Sequence, residues 1–152
     1  MIVSLLTAEH INLDLAATSQ EGVIRELAKE LFASGHVSDL EQFVADTMAR
    51  EALGPTGIGH GIAIPHGKSA AVQTPAIAFG RSVRGLEWNS LDEEPVKLVF
   101  LLAVPEQSAD NYHLKVLAAL ARKLIHVEFR DKLTACNDKE KLVSLLGGIT
   151  IQ

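Results

Sequence analysis

Val96 to Val104 reads VKLVFLLAV, eight apolar residues around a single lysine. A strand with one face in water alternates apolar and polar side chains, whereas a strand covered on both faces is apolar almost throughout. The run is far short of the ~20 residues needed to cross a bilayer. It therefore predicts a strand buried in a sheet with helices packed on both sides. Ala76 to Val83, AIAFGRSV, is a second β-prone run just upstream, and its β-branched and aromatic residues suit a pleated, covered surface.

The flanking sequence supplies the helices. Val23, Ile24, Leu27, Ala28 and Leu31 recur at helical spacing, which predicts a helix over about 20 to 34. Thr18 and Glu21 have the spacing of a capping box at its start, and Gly35 suits its end. Asp39 is placed to cap a second helix whose apolar face is Leu40, Phe43, Val44, Thr47 and Met48, ending near Arg50 and Glu51 before the Gly54-Pro55 break. After Pro105, Ser108 or Asp110 is expected to cap a third helix, with Leu114, Leu117, Ala118, Ala121, Leu124 and Ile125 on its buried side and His113 in its first turn. A short helix is expected from about Glu128 to Ala135, then another with Asn137 and Glu140 as a cap pair, Leu142, Val143, Leu145 and Leu146 inside, and Gly147-Gly148 at its end. Leu5, Ile11, Leu13 and Leu15 suggest an extended opening segment. With no repeat or linker to divide it, the chain from 1 to 152 reads as one α/β domain with a mixed sheet flanked by helices on both faces.

Composition narrows the setting. A chain of 152 residues is long enough to bury a core without staples. The lone Cys136 cannot form an intramolecular disulfide, which fits a reducing, cytoplasmic compartment. The N-terminal MIVSLLTAEH has no basic segment ahead of its short apolar run, so neither secretion nor membrane insertion is expected. A net charge of −5 spread along the chain argues against nucleic acid and anionic lipid as partners.

The chemistry concentrates in GPTGIGHGIAIPHGKS, Gly54 to Ser69, with five glycines and two prolines around the apolar run Ile62, Ala63, Ile64. This reads as a loop, a brief strand and another turn. His66 follows the rigid Pro65 and precedes the permissive Gly67, so it is held yet uncrowded; the plain alternative is a turn histidine without a role. A nucleotide loop is not expected, because five residues separate Gly61 from Gly67 where the motif needs four, and Pro65 removes an amide from the cradle. His60, His66 and His113 have no carboxylate or thiol at metal-ligand spacing. There is no GxSxG elbow, and Cys136 has no histidine near it in sequence. No cofactor is expected.

At these residues a resemblance appears. REALGPTGIGHGIAIPHGKS, Arg50 to Ser69, resembles the phosphorylation-site signature of the fructose, mannitol and nitrogen-type IIA proteins of the bacterial sugar phosphotransferase system. AVPEQSADNYHLKVLAALARKL, Ala103 to Leu124, resembles that family's second histidine region. The resemblance implies an α/β sandwich that takes phosphate from the phosphohistidine of HPr and passes it to a IIB component during phosphoenolpyruvate-dependent sugar uptake. It equally implies the alternative of a nitrogen-type relative whose phosphorylation state controls partner binding. The family's acceptor, the histidine after IP, falls on His66; its accessory histidine in HLK falls on His113; its active-site arginine, opening REA, falls on Arg50.

Physical roles for these residues follow. Imidazole, with a pKa near 6.5, is available as a neutral nucleophile at cytosolic pH. The Arg50 fork suits phosphate, although a solvated helix-end arginine is the plainer reading. His113, at a helix start, is placed where an anion is favoured; capping or packing is its plainer role. Glu51 reads as an ordinary exposed carboxylate, with orienting Arg50 as its alternative, Lys68 as a steering charge, and Gly57, Gly59 and Gly67 as shapers of the loop. His10, His36 and His126 read as surface or boundary histidines, and His60 as solvated. A relay requires His66 to be exposed within an apolar collar, for which Ile62 to Ile64 and Val104 to Tyr112 are the candidates.

Overall fold

In the computed structural model of the chain, residues 6–88, 90, 92–107 and 112–147 are described, and the side chains of Tyr112 and His113 fall outside that description. The central strand is β6 (Val96–Pro105). It pairs antiparallel with β5 (Ala76–Leu86), Phe79 lying opposite Phe100, and β5 pairs parallel with β1 (Ile11–Asn12). Along the other edge of β6 run two short parallel strands in succession, β3 (Ile62–Ala63) and β4 (His66–Ser69). β2 (Gly57–Gly59) folds back antiparallel on β3. The order is β1-β5-β6-β3-β2, with β4 on β6. The glycine-rich stretch thus holds three strands where one was expected, because each is only two to four residues long and lacks an alternation of its own.

The apolar run of β6 divides between two cores. Leu98, Phe100, Leu102 and Val104 join Ile77 and Phe79 of β5 in one, and Val99, Leu101 and Ala103 join Ala76 and Ala78 in the other. α1 (Gln20–Ala33) and α2 (Leu40–Leu53) cover the second core through Ile24, Leu27, Leu31, Phe43 and Val44. α3 (Tyr112–Leu124), α4 (Val127–Ala135) and α5 (Lys139–Gly147) cover the first through Val116, Leu120, Phe129, Leu133 and Leu142. Each such side chain contributes about 1.5–3 kcal/mol by leaving water. The expected mixed sheet with helices on both faces is what forms.

Local details depart from expectation. Ser19, not Thr18, caps α1 by accepting from the Gly22 amide. Gly35 takes the left-handed conformation at φ 87°, and the His36 amide reaches back to Leu31 O to close the helix. Asp39 caps α2 through the Gln42 amide, as expected. At α5 the capping side chain is Asp138, which accepts from Glu140 and Lys141 N–H, while Asn137 is taken by Arg81. On α3 the buried stripe is Val116, Ala119, Leu120 and Leu124, while Leu114 and, just past the helix end, Ile125 are exposed at 56% and 64%. The expected stripe is rotated from the real one because α3 has apolar residues on more than one side, so spacing alone admits two faces. Ser108 and Asp110, expected as caps of this helix, lie outside the described residues.

Arg81 ties β5 to the far end of α4. Its Nε donates to Leu13 O, its Nη1 to the carbonyls of Leu133, Thr134 and Cys136, and its Nη2 to Asn137 Oδ1. The guanidinium therefore satisfies the carbonyls left open at a helix C-terminus, where the helix dipole favours a cation. Among the described residues, no helix is long and apolar enough to cross a membrane.

Candidate functional site

The site begins where α2 ends. Gly54 stops the helix, and after Pro55 and Thr56 the chain forms the β2–β3 hairpin, whose connecting residues, His60 and Gly61, both have positive φ, 60° and 77°. Such a turn matches the right-handed twist of its strands. β3 leads into Pro65 and then β4, which opens on His66. The Ile64 amide donates to Thr56 O at 3.0 Å, the Leu102 amide donates to Pro65 O at 3.0 Å, and His66 lies opposite Leu102 in the ladder. The backbone on both sides of His66 is fixed by neighbouring strands.

The ring is fixed as well. His66 Nδ1 lies 3.2 Å from Ile64 O. A backbone carbonyl can only accept, so Nδ1 carries the hydrogen, and in the neutral ring the lone pair is on Nε2. Against the expectation of an exposed acceptor, His66 is only 8% exposed. It lines an open pocket of about 410 Å³ together with Asp46, Ala49, Arg50, Leu53, Lys68 and Val104. The cause is packing at the neighbouring residue. A Cβ on Gly67 would sit 2.3 Å from Thr47 Oγ1, so β4 lies directly against α2 and draws His66 in with it. Of the expected apolar collar, Ile62, Ala63 and Ile64 are buried, Val104 lines the pocket, and residues 108–111 and the side chain of Tyr112 lie outside the described residues. Among the described residues, Leu53, 85% exposed at the end of α2, supplies exposed apolar surface beside the pocket.

Arg50 and His66 are brought together in this pocket. Arg50 lies in the last turn of α2 and donates from Nη1 to Gly54 O at 2.8 Å, which steadies the guanidinium at the rim. Lys68, one pleat beyond His66 and on the same face of β4, adds a second cation to the lining. His113 lies in the first turn of α3, as expected, and its side chain is outside the described residues.

Two acidic residues have partners that the sequence did not indicate. Asp46, one helical turn before Arg50, accepts from Ser69 Oγ at 2.5 Å and from Gln42 Nε2 at 2.9 Å, joining α2 to β4 within the pocket. Glu51, expected to be exposed, is 8% exposed. It accepts from Gln20 Nε2 at 3.1 Å, from the Thr56 amide at 3.3 Å and from the Thr56 hydroxyl, and Trp88 Nε1 in turn donates to that hydroxyl. The only sequence signal was the adjacency of both residues to Arg50, which gives no hint of partners elsewhere in the chain.

The remaining histidines divide. His60 is exposed and His126 is exposed at the start of α4, while His36 bonds through Nδ1 to Thr74 Oγ1 at 2.6 Å. His10 is the correction: it is 1% exposed, 2.8 Å from Ser34 Oγ through Nε2, and edge-on to His36. Burial, reinforced by the charge of His36, pushes its pKa below the usual imidazole range. Among the described residues no three histidine, cysteine or acidic side chains are grouped to hold a metal. What the pocket offers is a fixed imidazole, a guanidinium and an ammonium beside the Asp46 carboxylate, and its cations suit a small, multiply charged anion.

Comparison with known proteins agrees with that chemistry. Residues 4–148 match the family model described as "Phosphoenolpyruvate-dependent sugar phosphotransferase system, EIIA 2". The PTS system fructose-specific EIIABC component of Bacillus subtilis is 39% identical over 145 residues, 95% of this chain but 23% of that protein, so the chain spans about a quarter of that relative. The crystal structure of nitrogen regulatory protein IIA-Ntr from Neisseria meningitidis superposes with a TM-score of 0.87 at 34% identity, covering 95% of this chain and 98% of that one. The complex of enzyme IIAMTL and phosphorylated enzyme IIBMTL from Escherichia coli gives 0.80 at 27% identity, covering 94% and 97%. With a match that runs through both the His66 strand and the Arg50 helix, the chain belongs to the EIIA 2 family of the phosphoenolpyruvate-dependent sugar phosphotransferase system.

Proposed function

We propose that this protein is a cytoplasmic phosphoryl carrier, a single IIA domain from 1 to 152, that accepts phosphate on His66 from phospho-HPr and passes it to a IIB component during sugar uptake. The observation that carries the reading is the Nδ1–H···O=C bond from His66 to Ile64, which assigns the nucleophilic lone pair to Nε2. In the forward step Nε2 bonds to phosphorus as the P–N bond to the donor histidine breaks, and Nδ1 keeps its proton on the carbonyl. The transition state is loose and spreads negative charge over the phosphoryl oxygens, so the work of the protein is positioning and electrostatic stabilisation. Arg50 and Lys68 supply positive charge from the pocket wall, and His113 is assigned a hydrogen bond to the phosphoryl group. The second step reverses the first, with phosphorylated His66 as donor. A IIB partner is supported by the named IIAMTL–IIBMTL complex, and an exposed Leu53 beside the pocket suits a transient apolar contact.

A regulatory reading has its own support in the likeness to nitrogen regulatory protein IIA-Ntr. In that case phosphorylation of His66 changes which protein is bound, and no sugar need move. The test is labelled phosphate from phosphoenolpyruvate through enzyme I and HPr, offered to wild type and His66→Ala. Label on wild type alone, with the phosphorus on Nε2 by nuclear magnetic resonance, supports the carrier; label on both variants overturns the assignment of His66. Onward transfer to a IIB protein separates transport from regulation.

A further inference from the structure

Glu51 is a buried carboxylate whose donors, among the described residues, are all neutral: the Gln20 amide side chain and the amide and hydroxyl of Thr56. Burying a carboxylate without a cation costs more than neutral donors readily return, so net stability is a poor account of it. Its position suggests another. From Glu51 an unbroken series of hydrogen bonds runs to the ring of His66. Glu51 holds Thr56 by both amide and hydroxyl; Thr56 O accepts from the Ile64 amide at 3.0 Å; Ile64 O accepts from His66 Nδ1 at 3.2 Å.

We propose that Glu51 is a positioning residue for the phosphoryl acceptor, fixing the tautomer and orientation of His66 through Thr56 and Ile64. The proposal rests on His66 being the acceptor. Thr56 follows the Gly54-Pro55 break and belongs to no strand, so its carbonyl is as well placed as the anchors on its own side chain and amide make it. Glu51, in the last turn of α2, is rigid. It therefore transmits the position of the helix that carries Arg50 to the strand that carries His66, and keeps guanidinium and imidazole in one register. Displacing a reacting group by about 1 Å costs up to a hundredfold in rate.

Glu51→Gln tests this, because glutamine keeps the shape but turns one acceptor into a donor facing the donors of Thr56 and Gln20. The expected results are a ¹⁵N spectrum in which His66 loses its single Nδ1–H tautomer, and a phosphoryl-transfer kcat about ten- to a hundredfold lower with KM for HPr within about twofold. A residue that merely stabilises the fold would move neither in folded protein, and emission from Trp88, buried against Thr56, reports the folded state. Should Glu51→Gln fail to fold, Thr56→Val and Thr56→Ser decide: valine is expected to reproduce the tautomer change and serine to restore wild-type behaviour. An unchanged tautomer and kcat in folded Glu51→Gln, or equal behaviour of valine and serine, overturns the proposal. If wild type takes no phosphate, the carrier reading has failed, while the ¹⁵N spectra still decide the positioning.

Discussion

Gly67→Ala is the sharpest test of how β4 is seated. The added Cβ would lie 2.3 Å from Thr47 Oγ1 and 2.9 Å from Phe43 Cε1, where ordinary contact is about 3.5–4.0 Å. Neither neighbour can give way easily, since both are fully buried and Thr47 Oγ1 is held by the Phe43 carbonyl at 2.9 Å. Strand and helix must therefore separate by roughly 1 Å, an overpacking that costs about 1–3 kcal/mol. At this chain length that lowers Tm by about 2–4 °C per kcal/mol. The same displacement moves His66 away from Arg50, so transfer is expected to slow about tenfold or more even in folded protein. Urea unfolding measures the first effect, through a lower midpoint at unchanged slope, and labelled-phosphate kinetics measure the second. Adding Thr47→Ala opens the space, and the double variant is expected to recover about 1 kcal/mol relative to additivity. A Gly67→Ala protein within about 0.5 kcal/mol of wild type, or strict additivity in the cycle, refutes the reasoning.

Three further outcomes follow from the same geometry. Arg81→Met strips the α4 carbonyls of their charged donor, and we expect a loss of about 3 kcal/mol in urea unfolding without a change in transfer kcat for the folded protein. Burial raises the Glu30 carboxyl from about 4.5 to about 7, opposed by Lys139 and aided by Glu26. The folded state then keeps a proton that the unfolded chain releases between those values, so stability declines as pH rises through that window, and Glu30→Gln is expected to add about 1–3 kcal/mol at pH 8 but little at pH 4.5. Asp46→Asn keeps an acceptor for Ser69 while removing a negative charge from the pocket wall. A carboxylate and a phosphoryl dianion on the order of 8 Å apart in water repel by about 1 kcal/mol, so the equilibrium with phospho-HPr is expected to move about fivefold toward the phosphorylated carrier; no movement would show that the charge is screened.

The architecture was legible because its signals are local. The nearly continuous apolar run of β6 announced a sheet covered on both sides, and the spacing of Val23, Ile24, Leu27 and Leu31 marked α1 to within a residue. The Arg50 and His66 segments were likewise recognisable from contiguous sequence. What escaped was set by distance along the chain. Glu51 finds Gln20 a helix away, and His10 is buried only because α1 brings Ser34 and His36 over it. The caps were missed by a single residue, Ser19 for Thr18 and Asp138 for Asn137, since neighbouring polar residues compete for one role that the final turn geometry decides. The burial of His66 was set by Gly67 meeting Thr47, an absence of side chain that reads in sequence only as flexibility.

The parallel pairing of β4 with β6 also governs when the backbone around His66 becomes fixed. The whole motif around His66 is synthesised before β5 and β6, yet its ladder partner Leu102 belongs to the later strand. β5 and β6 are joined by a short connection and close early; β4 must wait for a longer loop to shut. A nascent chain that has emerged only as far as β5 thus displays every residue of the 50–69 motif while lacking the ladder that holds His66, and that ladder closes only once β6 has been made.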